Sequence, residues 1–216
     1  MKQSRVLVIC AHSDDQAVGL GGTLAKYAKE GKEIIVVIFS NGASSHPHLK
    51  PEFIGEIREK ESKSCNKVLK VKQTIFLNLI DTKYKEEVVK YKIEEKIKRI
   101  IMLHRPDKIF THSLDDPHMD HREVYDVVKK VFDDLRYTGE LYTFNVWNLW
   151  NIRKTYKPKL YVDISSTFKT KLHAIRCFPS QKLTMQWPLT WTVYIKAILF
   201  GLKHRCKYAE RFFKIR

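Results

Sequence analysis

Short apolar runs alternate along the chain with longer stretches in which apolar residues recur every three or four positions. A continuous apolar run bounded by turn residues is typical of a buried strand in a parallel sheet, whereas three- and four-residue spacing is typical of an amphipathic helix. The pattern predicts strands over residues 5–10, 33–40, 74–79 and 108–111, and helices over 21–30, 51–69, 86–103 and 119–135.

This alternation of strands and helices predicts the fold class. We expect an α/β protein with a single-domain, Rossmann-like, three-layer fold, in which helices cover both faces of a mostly parallel central sheet. Two further strands are predicted over 141–147 and 159–164. They precede a helix over 165–178, which Ser165 or Ser166 is expected to cap.

The size and cysteine content of the chain suggest one cytoplasmic domain. Its 216 residues, 44% of them hydrophobic, are enough for a full core, and no repeat, low-complexity segment or linker divides the predicted domain over 1–216. The four scattered cysteines form no CxxC pair, which favours a reducing compartment. The first apolar run is too short for a signal peptide and no stretch reaches the length of a spanning helix, so we expect a cytoplasmic location.

The chain is strongly basic. Lysine and arginine outnumber aspartate and glutamate by 40 to 24, which gives a formal net charge of +16. Such a charge suits a nucleic acid, an anionic membrane or simply a solvated basic surface. The sequence shows no RNA-recognition motif, helix-turn-helix signature or arginine-rich tail. Composition therefore favours the solvated surface, and no nucleic-acid partner is expected.

Two polar stretches rich in histidine and aspartate follow the first and fourth predicted strands. The first is Ala11-His-Ser-Asp-Asp15, and the second runs over residues 112–123. Because the carboxyl ends of parallel strands share one edge of the sheet, these stretches are expected to meet there. His12, Asp15 and His121 then make a plausible set of two histidines and one carboxylate, which resembles a catalytic zinc site with an open position. Iron and other divalent ions accept the same ligands.

Each of these residues also has an ordinary interpretation. A lone histidine after a strand is more often a hydrogen-bonding loop residue than a ligand, and Asp14 or Asp15 alone could cap the next helix. His118 and His121 alone could lie on a helix surface. The coincidence of two mixed clusters at one functional edge favours metal chemistry over these interpretations.

Two other functional classes stay open at this point. A metal-dependent hydrolase of another bond, such as a phosphoester, would also use carboxylate-rich clusters, although a two-metal site would need more bridging carboxylates. A non-enzymatic nucleotide-binding module is the second class, because Gly19-Leu-Gly-Gly22 follows the first strand. That segment lacks the GxGxxG pattern, and no acid stands convincingly at the end of the second strand.

Several short motifs resemble those of one known family, the LmbE-like, PIG-L family of N-deacetylases. Ala11-His-Ser-Asp-Asp15 resembles its Ala-His-Pro-Asp-Asp motif, and His118-Met-Asp-His121 resembles its His-Pro-Asp-His motif. The resemblance extends in chain order over nearly the whole sequence. The further similar elements are Ser40-Asn-Gly42, Arg58 with Glu61, Asp81, Val162-Asp-Ile164, Ser180-Gln181 and Tyr208-Ala-Glu210.

The resemblance implies metal-dependent hydrolysis of an N-acetyl group, usually on an N-acetylglucosaminyl unit, with release of acetate and a free amine. It makes His12, Asp15 and His121 the metal ligands. Zn²⁺ is the expected ion, and Fe²⁺ is the alternative in the cell. The resemblance further implies an acetamido-sugar substrate, including sugars linked to lipids or glycans.

The resemblance also implies the roles of the remaining polar residues. Asp14 would be the general base, and a cationic His118 would stabilise the oxyanion. Asp120 would orient and charge-balance a histidine, and Asp116 or Asp120 could fix the ring tautomers of the metal ligands. The residues expected to contact the substrate are Asn41, Arg58 and Asp81.

Three positions depart from the family pattern. Ser13 replaces the proline of the first motif, and Gln16 replaces the glutamate that usually follows the two aspartates. Phe178-Pro179 stands where many members have a histidine before Ser-Gln. None of these changes removes an expected ligand or the base, so we expect activity.

The stretch from Trp187 to Phe200 is apolar and aromatic, and basic residues including Lys196 and Lys203 are interleaved with it or follow it. Its spacing suits a core helix at least as well as an interfacial one. Together with the overall basic charge, the stretch leads to the expectation of peripheral contact with the inner membrane face.

Overall fold

A single sheet lies at the centre of the protein. The computed structural model describes residues 3–40, 42–43, 50–148, 158–182 and 187–216. Within these ranges the strands are β1 (Arg5–Cys10), β2 (Glu33–Ile38), β3 (Gln73–Phe76), β4 (Lys108–His112), β5 (Glu140–Phe144), β6 (Lys159–Asp163) and β7 (Ala209–Lys214).

Helices cover both faces of this sheet. In the described ranges none of them is both long and apolar enough to cross a membrane. The helices are α1 (Asp15–Lys29), α2 (Pro51–Val68), α3 (Tyr84–Lys90), α4 (Ile93–His104), α5 (Met119–Asp134), α6 (Phe168–Arg176) and α7 (Trp187–His204).

The strand order is β3-β2-β1-β4-β5-β7-β6, and it determines where a ligand-binding crevice can form. The first five strands of this order run parallel, whereas β7 is antiparallel to both β5 and β6. The chain leaves β1 toward β2 on one side, while β4 pairs with β1 on the other. Such a reversal opens a crevice at the carboxyl ends of the strands, where α/β proteins bind ligands. The predicted mostly parallel α/β fold is confirmed.

The side chains of β1 show how the apolar runs form the core. Val6, Val8 and Cys10 pack on the face covered by α1 and α6, whereas Leu7 and Ile9 pack on the face covered by α4 and α5. All five are fully buried. Burial of one such aliphatic side chain stabilises a fold by about 1.5–3 kcal/mol. Because successive side chains point to opposite faces and helices cover both faces, all five positions are apolar and form a continuous apolar run.

Helix α1 begins earlier than the prediction of 21–30 and is kinked. Leu20 has φ −147° and ψ 18°, which interrupts the helix and frees backbone N–H groups in the turn that follows. Gly22 and Thr23 donate those N–H groups to the carboxylate of Glu210, at 3.1 and 2.7 Å. Lys171 pairs with the same carboxylate at 2.5 Å. The buried Glu210 therefore caps the second half of α1.

The glycines of α1 serve close packing. A Cβ at Gly22 would lie 2.7 Å from Cδ1 of Ile164, and a Cβ at Gly19 would lie 2.3 Å from Cδ2 of Phe144. Both distances are far below van der Waals contact, so the helix can approach β5 and the end of β6 only with glycine at these positions. The glycine-rich segment after β1 thus has a packing explanation that involves no nucleotide.

The single helix predicted over 86–103 is two helices, α3 and α4. Lys92 separates them with φ 51° and ψ 47°. The buried residues explain the break. Ile93, Ile97 and Ile101 share one face at four-residue spacing, but Val88 precedes Ile93 by five positions and would point elsewhere on a continuous helix. The turn at Lys92 lets both helices bury their apolar faces.

The prediction near the end of the chain was wrong in two respects. The helix over 165–178 is shorter, as α6, and no serine caps it: the hydroxyl of Ser165 instead donates to Oδ1 of Asp163 at 2.6 Å. Strand β7 was not predicted at all. All four cysteines are free.

Candidate metal centre

The candidate metal centre lies at the carboxyl ends of β1 and β4. His12 follows β1, and Asp15 is the first residue of α1. His118 immediately precedes α5, and His121 lies in its first turn. The two predicted clusters therefore meet at the sheet edge, although a hundred residues separate them in the chain.

The predicted ligands bring two ring nitrogens and the two oxygens of one carboxylate close together. Nε2 of His121 is 3.3 Å from Nδ1 of His12 and 3.3 Å from Oδ1 of Asp15. Nδ1 of His12 is 3.6 Å from Oδ2 of Asp15. Zinc binds nitrogen and oxygen ligands at about 2.0–2.2 Å in a tetrahedral arrangement, so atoms at these separations fit one common ion. The donor set thus fits a divalent metal.

Two carboxylates fix the orientation of the histidine rings. Oδ1 of Asp116 lies 3.0 Å from Nδ1 of His121, and Oδ2 of Asp120 lies 3.2 Å from Nε2 of His12. Each contact occupies the ring nitrogen that faces away from the cluster. The remaining nitrogens, Nε2 of His121 and Nδ1 of His12, are left to face a common ion. Such carboxylate–histidine pairs are typical of metal sites.

The electrostatics of the cluster favour positive charge. Burial alone would lower the pKa of His12, but hydrogen bonds with Asp120 and Asp15 raise it to about 10. Burial likewise opposes charge on His121, yet Asp15 and Asp116 raise its pKa to about 9. The carboxylate of Asp15 is held below its usual pKa by His121 and His112 despite its burial. The site therefore stabilises cations, and a metal ion would replace the imidazole protons.

His112 is a residue of the site to which the sequence analysis assigned no role. It ends β4, is fully buried, and stacks on His121 with 3.9 Å between ring centroids. Its Nε2 lies 3.1 Å from Oδ2 of Asp15 and 3.0 Å from the backbone nitrogen of Ala11. Burial and the neighbouring His121 lower its pKa to about 4. A histidine as the last residue of an apolar strand was the signal that could have found it.

A cleft of about 270 Å³ opens beside the three donor residues. Asp14 lies in it, and its Oδ2 is 3.2 Å from Nη2 of the buried Arg58. Arg58 also donates to the hydroxyl of Ser13 at 3.2 Å. Gly42, with φ +74°, leaves room for this guanidinium, because a Cβ there would lie 2.5 Å from Nε of Arg58. Asp14, Ser13 and Arg58 thus form one buried polar group at the cleft wall.

Two more predicted residues face the same cleft. Oδ1 of Asp81 lies 3.7 Å from Nε2 of His12. Nδ1 of His118 accepts the backbone N–H of Asp120 at 3.2 Å, which leaves Nε2 to hold the ring proton. Burial, His12 and His121 lower the pKa of His118. Asn41, the remaining predicted contact, lies outside the described residues.

The three departures from the family pattern lie outside the metal cluster. Gln16 is fully buried and donates from Nε2 to the carbonyl of Ser13 at 2.9 Å and to Oδ1 of Asn66 at 3.1 Å. Phe178 is fully buried in the core. Ser180 donates its N–H and hydroxyl to the carboxylate of Glu61 at 2.8 and 2.6 Å, which fastens the Ser-Gln turn to α2.

Together the fold and the site define an α/β protein with a candidate divalent-metal centre at the switch point of a parallel sheet. Comparison with known sequences gives the family. The sequence model of the family described as PIG-L: GlcNAc-PI de-N-acetylase matches residues 7–132. This match covers more than half of the chain, and the chain belongs to this family.

Relatives of known name cover most of the chain. Diacetylchitobiose deacetylase of Thermococcus kodakarensis is 28% identical over 229 aligned residues, which span 95% of this chain and 81% of the relative. The structure of N,N'-diacetylchitobiose deacetylase from Pyrococcus horikoshii, in complex with its inhibitor MPG, superposes with a TM-score of 0.81 at 26% identity and covers 98% of this chain and 84% of that chain.

The same fold also occurs with another activity. GalB, the 4-carboxy-2-hydroxymuconate hydratase from Pseudomonas putida, superposes with a TM-score of 0.80 at 20% identity over 99% of this chain and 97% of that chain. At this identity the likeness concerns the fold alone, so function must be argued from the site.

Proposed function

We propose that this protein is a metal-dependent hydrolase that removes the N-acetyl group of an acetamido sugar and releases acetate and a free amine. The observation that supports it best is the convergence of His12, Asp15 and His121 at the edge of a cleft that Asp14 lines. Membership of the PIG-L family and the 28% identity to a diacetylchitobiose deacetylase support the substrate class.

His12, Asp15 and His121 would hold the metal. We propose Zn²⁺, with Fe²⁺ as the alternative in the cell, because both ions accept two imidazoles and a carboxylate. A divalent ion there supplies a water of lowered pKa and polarises the carbonyl of the amide. Asp116 and Asp120 keep the two imidazoles in the tautomers that bind metal.

Asp14 is the proposed general base. Its carboxylate can accept the proton of the attacking water and later return one to the leaving amine. The contact with Nη2 of Arg58 holds this carboxylate at the cleft wall. In this proposal Arg58 therefore positions the base, in addition to the sugar contact expected from the family resemblance.

His118 is the proposed donor to the oxyanion. Because its Nδ1 accepts the N–H of Asp120, the ring proton belongs on Nε2. Its lowered pKa favours a neutral imidazole, in contrast to the cationic His118 expected from the sequence. A neutral N–H donor of this kind still stabilises negative charge that develops in the transition state.

The substrate would occupy the 270 Å³ cleft. Arg58 and Asp81 line this cleft and are the proposed contacts to the sugar, together with Asn41, which follows β2. A guanidinium and a carboxylate that line the same cleft offer both donors and acceptors, which suits a sugar with hydroxyl and acetamido groups.

We further propose that the protein acts at an anionic membrane surface on the cytoplasmic side. Helix α7 buries one face through Leu189, Val193 and Ala197. Its opposite face exposes a stripe of large apolar residues at three- and four-residue spacing. This stripe consists of Trp187, Trp191, Ile195, Ile198 and Leu202, which are 73, 71, 50, 44 and 71% exposed.

Basic residues border the apolar stripe of α7. Lys203, Arg205 and Lys207 are exposed at its carboxyl end, in a chain of net charge +16. An apolar aromatic face beside cationic residues is the pattern of an interfacial helix, to which each basic residue adds about 1 kcal/mol at an anionic surface. Lys196 does not belong to this face, because its Nζ lies 3.5 Å from the carbonyl of Val146.

The catalytic proposal is tested by release of acetate. Protein loaded with Zn²⁺ or Fe²⁺ should release acetate from N-acetylglucosaminyl compounds that carry different aglycones, and a phosphoester should remain intact. Turnover of the phosphoester without acetate release, or no release from any acetamido sugar by protein that retains its metal, would contradict the proposal.

A further inference from the structure

A second, smaller cavity lies directly behind the cleft. Its volume is about 40 Å³, which is room for roughly three water molecules. Val18 and Val146 line both the cavity and the cleft, so the two spaces share a wall at these residues. Its lining residues come from α1, the segment that follows β5, α6, α7 and β7.

The wall of this cavity has an excess of positive charge. Lys171, Lys196 and Arg211 line it together with one carboxylate, Glu210. That carboxylate is fully engaged, because it accepts two backbone N–H groups of α1 and pairs with Lys171 at 2.5 Å. Lys171 and Glu210 neutralise each other, which leaves the charges of Lys196 and Arg211.

These two cations have few partners among the described residues. Nζ of Lys196 makes a long contact of 3.5 Å with the carbonyl of Val146. Arg211 stacks on the rings of Phe200 and Phe213 and hydrogen-bonds Tyr161. Its Nε is nevertheless buried, and no acceptor within the described ranges reaches it.

Among the described residues, no carboxylate other than Glu210 lines the cavity. Asp116 attracts Lys196, but its oxygens are bound to His121, His118 and the backbone of residues 146–147. The segments outside the described ranges, 1–2, 41, 44–49, 149–157 and 183–186, contain no aspartate or glutamate. Taking a cation out of water without a counter-charge is costly, and the cost appears in a pKa of Lys196 that burial and Lys171 lower to about 8.

We propose that Lys196 and Arg211 form an anion subsite behind the cleft, which binds a carboxylate or phosphate group. Both side chains are donors only, and an anionic oxygen between them would satisfy Nζ and Nε with charge-assisted hydrogen bonds. The anion can be a free ion or a substituent of the substrate that reaches past Val18 and Val146. The second source rests on the proposed function, whereas binding of the ion itself does not.

Binding of inorganic phosphate to the metal-loaded protein tests the subsite. Calorimetric titration at fixed ionic strength should show saturable binding to wild type, weakened at least about tenfold in Lys196→Met, because one charge-assisted contact is lost. Lys169→Met removes an exposed charge two residues from Lys171 and should leave binding unchanged. Equal binding by wild type and Lys196→Met, or no binding by wild type, would overturn the proposal.

Stability and substrate preference complete the test. Without phosphate, Lys196→Met should unfold at the same temperature as wild type or higher, because it removes a buried charge, and Arg211→Gln serves as a second variant.

Preference for a phosphorylated over a plain N-acetylglucosamine in kcat/KM, lost in Lys196→Met, would assign the anion to the substrate. Phosphate binding without this preference would assign the site to a free ion. A third outcome separates the two proposals. If wild type binds phosphate, Lys196→Met does not, and wild type turns over no acetamido sugar, the subsite would be supported and the proposed function contradicted.

Discussion

Arg58 and Asp14 form a buried ion pair at the wall of the cleft, with 3.2 Å between Nη2 and Oδ2 and side chains only 4 and 10% exposed. Removal of one partner from a buried pair leaves an uncompensated charge. Arg58→Met should therefore lower the free energy of unfolding by about 3 kcal/mol, measured by denaturant titration. Arg99→Met, on the exposed surface of α4, is the matched control and should change stability by less than about 1 kcal/mol.

The metal ligands are tested by elemental analysis. The double variant His12→Ala/His121→Ala should lose the bound ion, because one carboxylate cannot replace a three-residue ligand set. His173→Ala, which removes an exposed histidine of α6, should keep full metal content. The same metal content in wild type and double variant would show that the ion binds elsewhere.

The proposed base and oxyanion donor should behave differently from the ligands. Asp14→Asn should keep its metal but lose about 100- to 10,000-fold in turnover, since an amide cannot accept the proton of water. We expect a smaller loss for His118→Ala, with metal retained. Acetate release and metal content measured on the same samples decide the matter: an Asp14→Asn protein with full metal and near-normal turnover would exclude Asp14 as base.

The buried Lys196 predicts a dependence of stability on pH. Its pKa in the folded protein is about 8, below its ordinary value of 10.5, because of burial and Lys171; Arg211 adds to this shift, and Asp116 opposes it. Between these two values the unfolded chain binds more protons than the folded one, so the contribution of Lys196 to stability rises with pH across that window. The difference in melting temperature between wild type and Lys196→Met, in buffer without phosphate, should shift in favour of wild type from pH 8 to pH 10.5. An unchanged difference would contradict the prediction.

The exposed stripe on α7 predicts binding to anionic vesicles. Wild type should sediment with them at low salt and less at high salt, because the basic residues act over about one Debye length. Replacement of Trp187 and Trp191 by serine should weaken binding to anionic vesicles, since the apolar anchors are lost. Phe53 is also exposed, at 56% on α2, and Phe53→Ser is the matched control. Binding that is absent at low salt, or unchanged by loss of both tryptophans, would favour a substrate free in solution.

The apolar runs made much of the fold predictable, and long-range contacts limited the rest. Strands β1 and β2 are buried on both faces and read as unbroken apolar runs, so their positions were predicted closely. Strand β7 has neither a continuous apolar run nor strict alternation of buried and exposed residues, and it pairs with two strands distant in sequence, so no local pattern marks it. The kink at Leu20 was missed for a similar reason, because Glu210, nearly two hundred residues later, stabilises it.

In the candidate site, too, local pattern predicted some features, whereas long-range packing determined the others. The sequence could indicate that His12, Asp15 and His121 would meet, because parallel strands end at one edge. It could not show that Arg58 pairs with Asp14, or that His112 stacks beneath His121, since these contacts depend on how α2 and β4 pack. Arg58 and His112 reach their partners through tertiary packing, so no spacing along the sequence identifies these contacts.

The position of β7 between β5 and β6 has a consequence for the order of folding during synthesis. Strand β6 pairs with β7 in the described sheet, and the second half of α1 is capped by Glu210 of the same strand. A nascent chain can pair β1, β2, β3 and β4 early, but it must hold the edge of β5 open until β7 has left the ribosome. An unpaired strand edge of this kind is where aggregation begins, so shortened chains that end before β7 should depend most on chaperones.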